Sequence, residues 1–312
     1  MARRGAEHHV FYLQAPRSLG DPDKRHRNAT IGHAVSTDLR DWTVLADALG
    51  PGPVGAWDDD ATWTGSVLER DGHWWLYYTG ISTVEDGLVQ RIGVAQSDDL
   101  ITWTKHPGNP IIELDPARYE ALDLDAWPDQ AWRDPWVVPL NGGYHVLLTA
   151  RAAKGEYDAR GVVAHARSTD LVTWAVDDPV TITPSGQFGQ LEVPQLIELG
   201  GRWYLLFCSG EATHSRAWAT RTGDTPRTGT FYAVADSPLG PFALVDEMLL
   251  GPRDGSTCYA GRIVLTDDGP MFMAWRLLAP DGSFAGELID PIPVGITPDG
   301  ALTLDGKERS RV

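Results

Sequence analysis

A twelve-residue segment that recurs along the chain constrains the fold more than any other feature of the sequence. It ends in Ser-x-Asp-Leu-x-x-Trp, and its copies span residues 31–42, 92–103, 163–174 and, in a weaker form, 232–242. The closing aromatic residues, which are 61, 71 and 68 positions apart, are Trp42, Trp103, Trp174 and Phe242. One four-stranded blade with long loops has this length, so the repeat predicts a β-propeller.

Two further motifs interleave with this segment and give the number of blades. Short aromatic and aliphatic runs occupy residues 9–13, 73–78, 144–148, 203–207 and 271–275. The last four follow Gly-containing turns, which is a hairpin signature. Because there are five runs and no useful helical periodicity, the sequence predicts an all-β, five-bladed β-propeller.

The third motif precedes the hairpin turn and should form the innermost strand of each blade. It occurs at residues 62–68, 133–138, 192–197 and 259–264, in blades two to five. Only residues 1–8 stand before the second strand of blade one, so we expect that blade to lack its innermost strand. The predicted organisation is one propeller domain over residues 1–306 with a charged tail at 307–312.

Composition and charge limit the possible partners. The formal net charge of −17 repels phosphate backbones and anionic membranes, so we expect neither nucleic acid nor a membrane as partner. No stretch reaches the roughly 20 apolar residues of a membrane span. Residues 1–5 are not followed by an apolar signal segment, which predicts a cytoplasmic protein, although we expect the natural start to lie further upstream. Cys208 and Cys258 are too few for a disulfide framework, and the apolar run before Cys208 predicts a buried thiol.

The inner strands should line the central channel and present polar side chains at its mouth. The candidate site residues are Asp60, Trp63, Thr64, Arg133, Asp134 and Glu192. Asp134 and Glu192 could face each other across the channel, and glycoside hydrolysis needs two carboxylates flanking the scissile bond. Burial would keep one protonated, and a neighbouring guanidinium would keep the other ionised. Taken singly, Asp134 is typical of a turn before Pro135 and Glu192 of a surface strand, but their shared repeat position favours function.

Other recurring polar residues have a structural interpretation. Asp38, Asp99 and Asp170 occur in every clear copy of the repeat, so we predict roles in turns and blade packing. His33 and His165 also occupy equivalent positions, and we interpret them in the same way. No His, Cys and carboxylate residues have metal-ligand spacing, so we expect neither a metal nor another cofactor.

Five motifs, in this order, resemble glycoside hydrolase family 32, the invertase, inulinase and levanase family, over nearly the whole chain. They are His-Val-Phe-Tyr at 9–12, Gly-His-Ala-Val-Ser-Thr-Asp-Leu at 32–39, Trp-Thr-Gly-Ser at 63–66, Arg-Asp-Pro at 133–135 and Glu-Val-Pro at 192–194. The resemblance implies a retaining mechanism with a fructosyl-enzyme intermediate. It makes Glu192 the general acid/base, Asp134 the residue that binds sugar hydroxyls in the transition state, and Arg133 a positioning residue.

The sequence departs from the family pattern at several places. The family nucleophile is an Asp in a Trp-x-Asn-Asp-Pro-like motif before the first-blade strand, and we expect it upstream of Met1. Asp21 follows that strand in a rim loop, so the role is not assigned to it. Val193 replaces a usual Cys, Ile31 stands where a Trp is common, and no C-terminal β-sandwich follows the last strand-like run.

The sequence therefore favours a β-fructosidase whose substrate is a small sugar or an oligosaccharide. Two alternatives stay open. One is an arabinan- or xylan-type enzyme, because families 43 and 68 share the propeller architecture. The other is a non-catalytic sugar-binding propeller, because the nucleophile is not among these 312 residues. Fold analogy alone does not decide the sugar, the linkage, hydrolysis against transfer, or the oligomeric state.

Overall fold

A computed structural model describes residues 1–251 and 255–304 and contains five sheets arranged as the blades of a propeller. The predicted five-bladed fold is confirmed. The predicted tail at 307–312, and the domain end at 305–306, lie outside the described residues.

The strands follow one another blade by blade. Blade one contains β1 (Ala2–Arg4), β2 (Glu7–Gln14), β3 (Thr30–Ser36) and β4 (Thr43–Val44). Blade two contains β5 (Ala61–Arg70), β6 (His73–Ile81), β7 (Arg91–Ser97) and β8 (Thr104–Lys105). Blade three contains β9 (Trp132–Leu140), β10 (Gly143–Arg151), β11 (Gly161–Ser168) and β12 (Ala175–Asp177).

The last two blades have five strands each. Blade four contains β13 (Ile182–Thr183), β14 (Glu192–Leu199), β15 (Arg202–Ser209), β16 (Gly229–Ala235) and β17 (Phe242–Leu244), with β13 parallel to β17. Blade five contains β18 (Thr257–Thr266), β19 (Gly269–Leu278), β20 (Phe284–Leu288), β21 (Ile292–Ile296) and β22 (Leu302–Leu304). Both β20 and β21 pair with β19.

Short helices lie in the connections. The 3₁₀ segments are Arg17–Leu19, Pro22–Arg27, Thr83–Glu85, Tyr157–Ala159 and Glu211–Thr213. Helix α1 (Arg216–Thr222) begins at the Ser215 cap and ends at Gly223. Helix α1 was not predicted, because its seven residues are too few for a periodic pattern. Within the two described ranges, no helix is long and apolar enough to span a membrane.

Blade one has an innermost strand, and the expectation that it lacks one was wrong. Strand β1 pairs antiparallel with β2, from Ala2 opposite His9 to Arg4 opposite Glu7. A strand of three residues is too short to show an alternation of apolar and polar side chains, so β1 is recognised only by its pairing with β2. Strand β1 is short by comparison, because it has three residues and the inner strands of the other blades have eight to ten.

The aspartates of the repeat close the loop after the third strand of a blade, as predicted. Asp99 Oδ1 accepts hydrogen bonds from the backbone N–H groups of Ile101 (2.8 Å) and Thr102 (2.7 Å). These bonds favour the charged form and lower the pKa of Asp99 to about 2. Asp38 and Asp170 make equivalent bonds, so the three residues are architectural.

Inner strands of successive blades are joined by side chains that bond to the next strand's backbone. Ser66 Oγ accepts from the N–H of Val137 at 2.9 Å, one blade further on. Trp136 Nε1 donates to the carbonyl of Leu196 at 3.1 Å. Gln195 bonds to both the N–H and the C=O of Ile263, at 2.7 and 2.8 Å. These three staples hold the inner strands of blades two to five at one level.

The apolar core lies between the blades rather than within any single sheet. Separate clusters fill the spaces between blades one and two, two and three, three and four, and four and five. Blades one and five meet through the Arg3–Asp267 ion pair and through the rings of Tyr12 and Trp275, whose centroids are 5.6 Å apart.

Two stacked histidine pairs lie in blades one and three, at the structural positions expected for His33 and His165. His9 Nδ1 and His33 Nε2 are 2.9 Å apart, and His145 Nδ1 and His165 Nε2 are 2.7 Å apart. Burial and the partner ring lower the pKa of His33 and of His165 to about 4. Each pair is therefore neutral near pH 7.

We predict that these pairs make the fold sensitive to mild acid. Between pH 6.5 and 4 the unfolded chain takes up protons that the folded pairs do not, so the free energy of unfolding falls as pH falls. One pKa unit corresponds to about 1.4 kcal/mol, so His165 alone costs on the order of 3 kcal/mol by pH 4. Denaturant unfolding at several pH values measures this dependence.

Blade four offers the matched replacement, because Tyr204 and Tyr232 occupy the positions equivalent to His145 and His165. The double variant His145→Tyr/His165→Tyr should lose part of the slope between pH 6.5 and 4. The capping aspartates titrate below this window, since the pKa of Asp99 is about 2. An unchanged slope would show that the histidine pairs do not cause the acid sensitivity.

Candidate active site

Each long inner strand carries a β-bulge at the same level, next to the mouth of the channel. The bulges occupy residues 64–65, 134–135, 193–194 and 260–261. Asp134, Val193 and Ala260 have positive φ angles of 58°, 53° and 53° there. A β-branched residue such as Val193 rarely adopts this conformation, and strained backbone of this kind is typical of functional sites. The residues just before the bulges are Trp63, Arg133, Glu192 and Tyr259.

Glu192 is held by two donors from the neighbouring blades. Its Oε1 accepts from Arg133 Nη2 at 2.5 Å, and its Oε2 accepts from the Tyr259 hydroxyl. Arg133 is 8% exposed, and its Nη1 also contacts Gln90 Oε1 (3.1 Å) and Asp129 Oδ2 (3.3 Å). The guanidinium therefore bridges blades three and four beneath the channel mouth.

Asp134 lies beside this bridge. Its Oδ2 accepts from the Thr149 hydroxyl at 2.7 Å and from the N–H of Val193 at 3.0 Å, and it is 3.8 Å from Arg133 Nε. Asp134 and Glu192 thus lie on inner strands of adjacent blades, β9 and β14. The expectation that they face each other across the channel was wrong. The structure nevertheless brings the two predicted carboxylates together through one arginine.

The environments push the pKa values of the two carboxyl groups in opposite directions. Burial acts to raise the pKa of Glu192, but the positive charge of Arg133 and the bonds from Tyr259 and Arg133 outweigh it, and the pKa is lowered. Burial raises the pKa of Asp134, the charge of Glu192 adds to this, and Arg133 opposes it. Arg133 therefore favours ionisation of Glu192 more than of Asp134, although it adjoins Asp134 in sequence.

The other predicted site residues lie on blade two. Asp60 pairs with Arg27 from the rim loop of blade one, so its charge is neutralised at the edge of the mouth. Trp63 Nε1 donates to the carbonyl of His26 at 2.9 Å, which places the indole under the same loop. Thr64 lies in the bulge of β5 and is partly exposed at the level of the carboxylates.

Several residues of the site were not predicted. Tyr259 lies on an inner strand that the sequence predicts to line the channel, at the same repeat position as Arg133 and Glu192, but no role was assigned to it. The His26 imidazole lies 6.0 Å from the Trp63 ring, and both Arg133 and Glu192 influence its pKa, which burial lowers. Thr149 and His26 carry no sequence signal, since one lies in a middle strand and the other in a rim loop.

Blade one reaches the channel at a different level. In blade one, the pair next to the hairpin turn is Arg4 and Glu7, and in blade two it is Arg70 and His73. Counting back from these pairs, Ala2 of β1 corresponds to Leu68 of β5. Trp63 precedes Leu68 by five residues. By this register, residues 2–4 correspond to residues 68–70 of β5 and lie nearer the hairpin turn than the bulge at residues 64–65 does. Asp21, which we did not assign as nucleophile, caps the 3₁₀ segment of the rim loop.

Across residues 1–251 and 255–304, no three His, Cys, Asp or Glu side chains are grouped as a metal site. Cys208 and Cys258 are both buried, and burial raises the pKa of the Cys208 thiol. The site is therefore built from carboxylates, a guanidinium, hydroxyls and aromatic rings.

The fold and this site together define a five-bladed propeller with a partly buried carboxylate pair at its channel mouth. A family model described as "Glycosyl hydrolases family 32 N-terminal domain" matches residues 1–275. The chain belongs to this family, and the resemblance predicted from the sequence is confirmed.

Individual relatives agree with this assignment. The chain is 31% identical over 202 residues to a β-fructofuranosidase (insoluble isoenzyme 7) of Oryza sativa, which covers 62% of this chain and 30% of that protein. It is 28% identical over 179 residues to a raffinose invertase of Escherichia coli, covering 56% and 34%. The matches therefore span about a third of the length of these relatives.

Solved structures share the fold at lower identity. Sucrose-6-phosphate hydrolase from Lactobacillus gasseri matches 96% of this chain and 58% of its own, with a TM-score of 0.74 and 22% identity. Inulosucrase from Halalkalicoccus jeotgali, bound to kestose, matches 98% and 83%, with a TM-score of 0.78 and 23% identity. An exo-1,5-α-L-arabinanase from a bovine ruminal metagenomic library matches 98% and 95%, with a TM-score of 0.68 and 16% identity.

We predict that Tyr259→Phe raises the pKa of Glu192. The hydroxyl donates to the ionised carboxylate and so favours it, and its removal leaves Arg133 as the remaining donor described at that group. Carboxyl titration by NMR or infrared spectroscopy measures the shift. Tyr77→Phe is the control, because that buried hydroxyl bonds to the carbonyl of Leu171 and should leave Glu192 unchanged. Equal titration curves for wild type and Tyr259→Phe would contradict the predicted role.

Proposed function

We propose that this protein cleaves β-fructosidic bonds, using Glu192 as general acid/base and Asp134 as the carboxylate that holds the fructosyl ring. The observation that carries the proposal is the pair of partly buried carboxylates joined through Arg133. Membership of family 32 and relatives named β-fructofuranosidase and raffinose invertase support the substrate class. Structures of neighbours contain sucrose or kestose, which suggests a small sugar or a short oligosaccharide.

The proposed reaction requires Glu192 to carry a proton when the bond breaks. It gives that proton to the leaving oxygen and later removes one from water. Arg133 and Tyr259 lower the pKa of Glu192, so the protonated form of Glu192 requires a lower pH than an ordinary glutamic acid does. We therefore expect kcat/KM to decline as pH rises through the pKa of Glu192 in the free protein.

A retaining mechanism also needs a nucleophilic carboxylate. Asp134 already accepts two hydrogen bonds within the site, which suits a residue that orients hydroxyl groups. We propose that the nucleophile belongs to the inner strand of blade one, at the level of the four bulges. In support, residues 2–4 pair with β2 next to the hairpin turn and do not reach the level of the bulges.

Two other functions remain candidates. The first alternative is an arabinan- or xylan-type activity. The fold shared with the arabinanase supports it, but membership of family 32 favours fructosides as substrates. The second alternative is a propeller that binds sugars without cleaving them. It is supported by blade one, where residues 1–4 place no carboxylate at the level of the bulges. Its prediction is that the chain binds sugars and that Glu192→Gln changes no product release.

The test is release of sugar from sucrose, inulin, levan and arabinan by this chain and by a version extended upstream in frame. In whichever form is active, Glu192→Gln should lower kcat/KM by roughly 10²–10⁴-fold, the usual contribution of general acid–base catalysis. Glu198→Gln is the matched control, since Glu198 is an exposed acid on the same strand.

The outcomes separate the candidates. Fructose release by the extended chain alone supports a nucleophile in blade one. Fructose release by the short chain would refute that position, because the nucleophile would then lie within residues 1–312. Arabinose without fructose would favour the arabinanase alternative, and binding without any release would favour the sugar-binding propeller.

A further inference from the structure

A buried arginine joins three loops on one side of the channel mouth. Arg151, at the end of β10, is 1% exposed, and its Nε contacts Glu120 Oε1 at 2.7 Å. Its Nη1 donates to the carbonyl of Gly189 at 2.7 Å, and its Nη2 donates to that of Tyr157 at 2.8 Å. The loops before β9, between β10 and β11, and before β14 are therefore fixed to one guanidinium.

Trp127 covers this arginine. The guanidinium carbon lies 3.7 Å from the centroid of the indole, which is a close stacking contact. Gly189 admits the indole, because a Cβ there would approach Trp127 to within 2.9 Å. Trp127 nevertheless stays partly exposed, so its exposed surface lies away from Arg151.

This aromatic surface adjoins the carboxylate pair without belonging to it. Trp127 precedes Asp129, which contacts Arg133, by two residues, a span of at most about 7 Å. Gly189 precedes Glu192 by three residues. Leu124 and Tyr157, on the same loops, are 62% and 56% exposed, so this part of the rim presents further apolar side chains among its charged ones.

We propose that Trp127 is a stacking platform for the second sugar residue on the leaving-group side of a fructosyl oligosaccharide. This inference rests on the proposed function and adds the chain length of the substrate. A rigid indole with one face fixed by a buried cation offers its free surface at low entropic cost, and aromatic side chains commonly line ligand sites. Sucrose has only one leaving-group sugar and would not reach the platform, whereas kestose would.

Binding of sucrose and of kestose tests the proposal, measured by calorimetry in a Glu192→Gln background so that neither sugar is consumed. Adding Trp127→Ala should weaken kestose binding roughly tenfold, the equivalent of losing one good contact, and leave sucrose binding unchanged. Trp127→Phe should restore most of the loss. Tyr144→Ala is the matched control, because Tyr144 also stacks with a cation, Arg70, but lies near the hairpin turn at the opposite end of its blade.

Equal weakening of both sugars, or of neither, by Trp127→Ala would overturn the proposal while leaving the β-fructosidase function intact. Loss of kestose binding in Tyr144→Ala as well would also overturn it, because the effect would then be general destabilisation. If the Glu192→Gln protein binds neither sugar and the wild type releases no fructose, the proposed function itself fails.

Discussion

The site depends on one buried guanidinium that must be compensated by carboxylates. Arg133 lies within reach of Asp129, Asp134 and Glu192, at 3.3, 3.8 and 2.5 Å. A buried cation without such partners would be costly, and so would three buried carboxylates that shared no cation. One arginine cannot favour all three acids equally, so the carboxylate with the shortest contact, Glu192, has a lowered pKa while the pKa of Asp134 is raised. This competition separates the pKa values of the two carboxyl groups and favours the ionised form of Glu192, which is the form that removes a proton from water in the second step.

The propeller supplies the geometry that this competition requires. Each long inner strand bulges at the same level, and side chains such as Gln195 fix each strand to the backbone of the next. Because the bulge rotates the chain, consecutive residues such as Arg133 and Asp134 both reach the same cluster. The strained φ angles at Asp134 and Val193 are maintained by this pairing and by the bond from the Val193 N–H to Asp134.

The sequence predicts the features that recur in every blade, but it does not predict contacts that occur only once in the structure. The spacing of the Ser-x-Asp-Leu-x-x-Trp segment predicts the blades. The repeat predicts the level of Asp134 and Glu192 to within one residue, because the bulges align Glu192 with Arg133 and Asp134 with Val193. The direction of the Arg133 side chain is not encoded in any pattern, so the sequence left open which acid it would ionise. Strand β1 is defined by pairing rather than by alternation, and the approach of His26 to Trp63 depends on the path of a loop. Such contacts are set by tertiary structure, which periodicity does not record.

A crystal structure of the Glu192→Gln protein with kestose bound would show directly whether Asp134 and Glu192 form the active site. We expect the glycosidic oxygen to lie within hydrogen-bonding distance of residue 192 and hydroxyl groups of the fructosyl ring to contact Asp134. A sugar bound elsewhere on the propeller, with the channel mouth empty, would contradict the claim that this carboxylate pair is the active site.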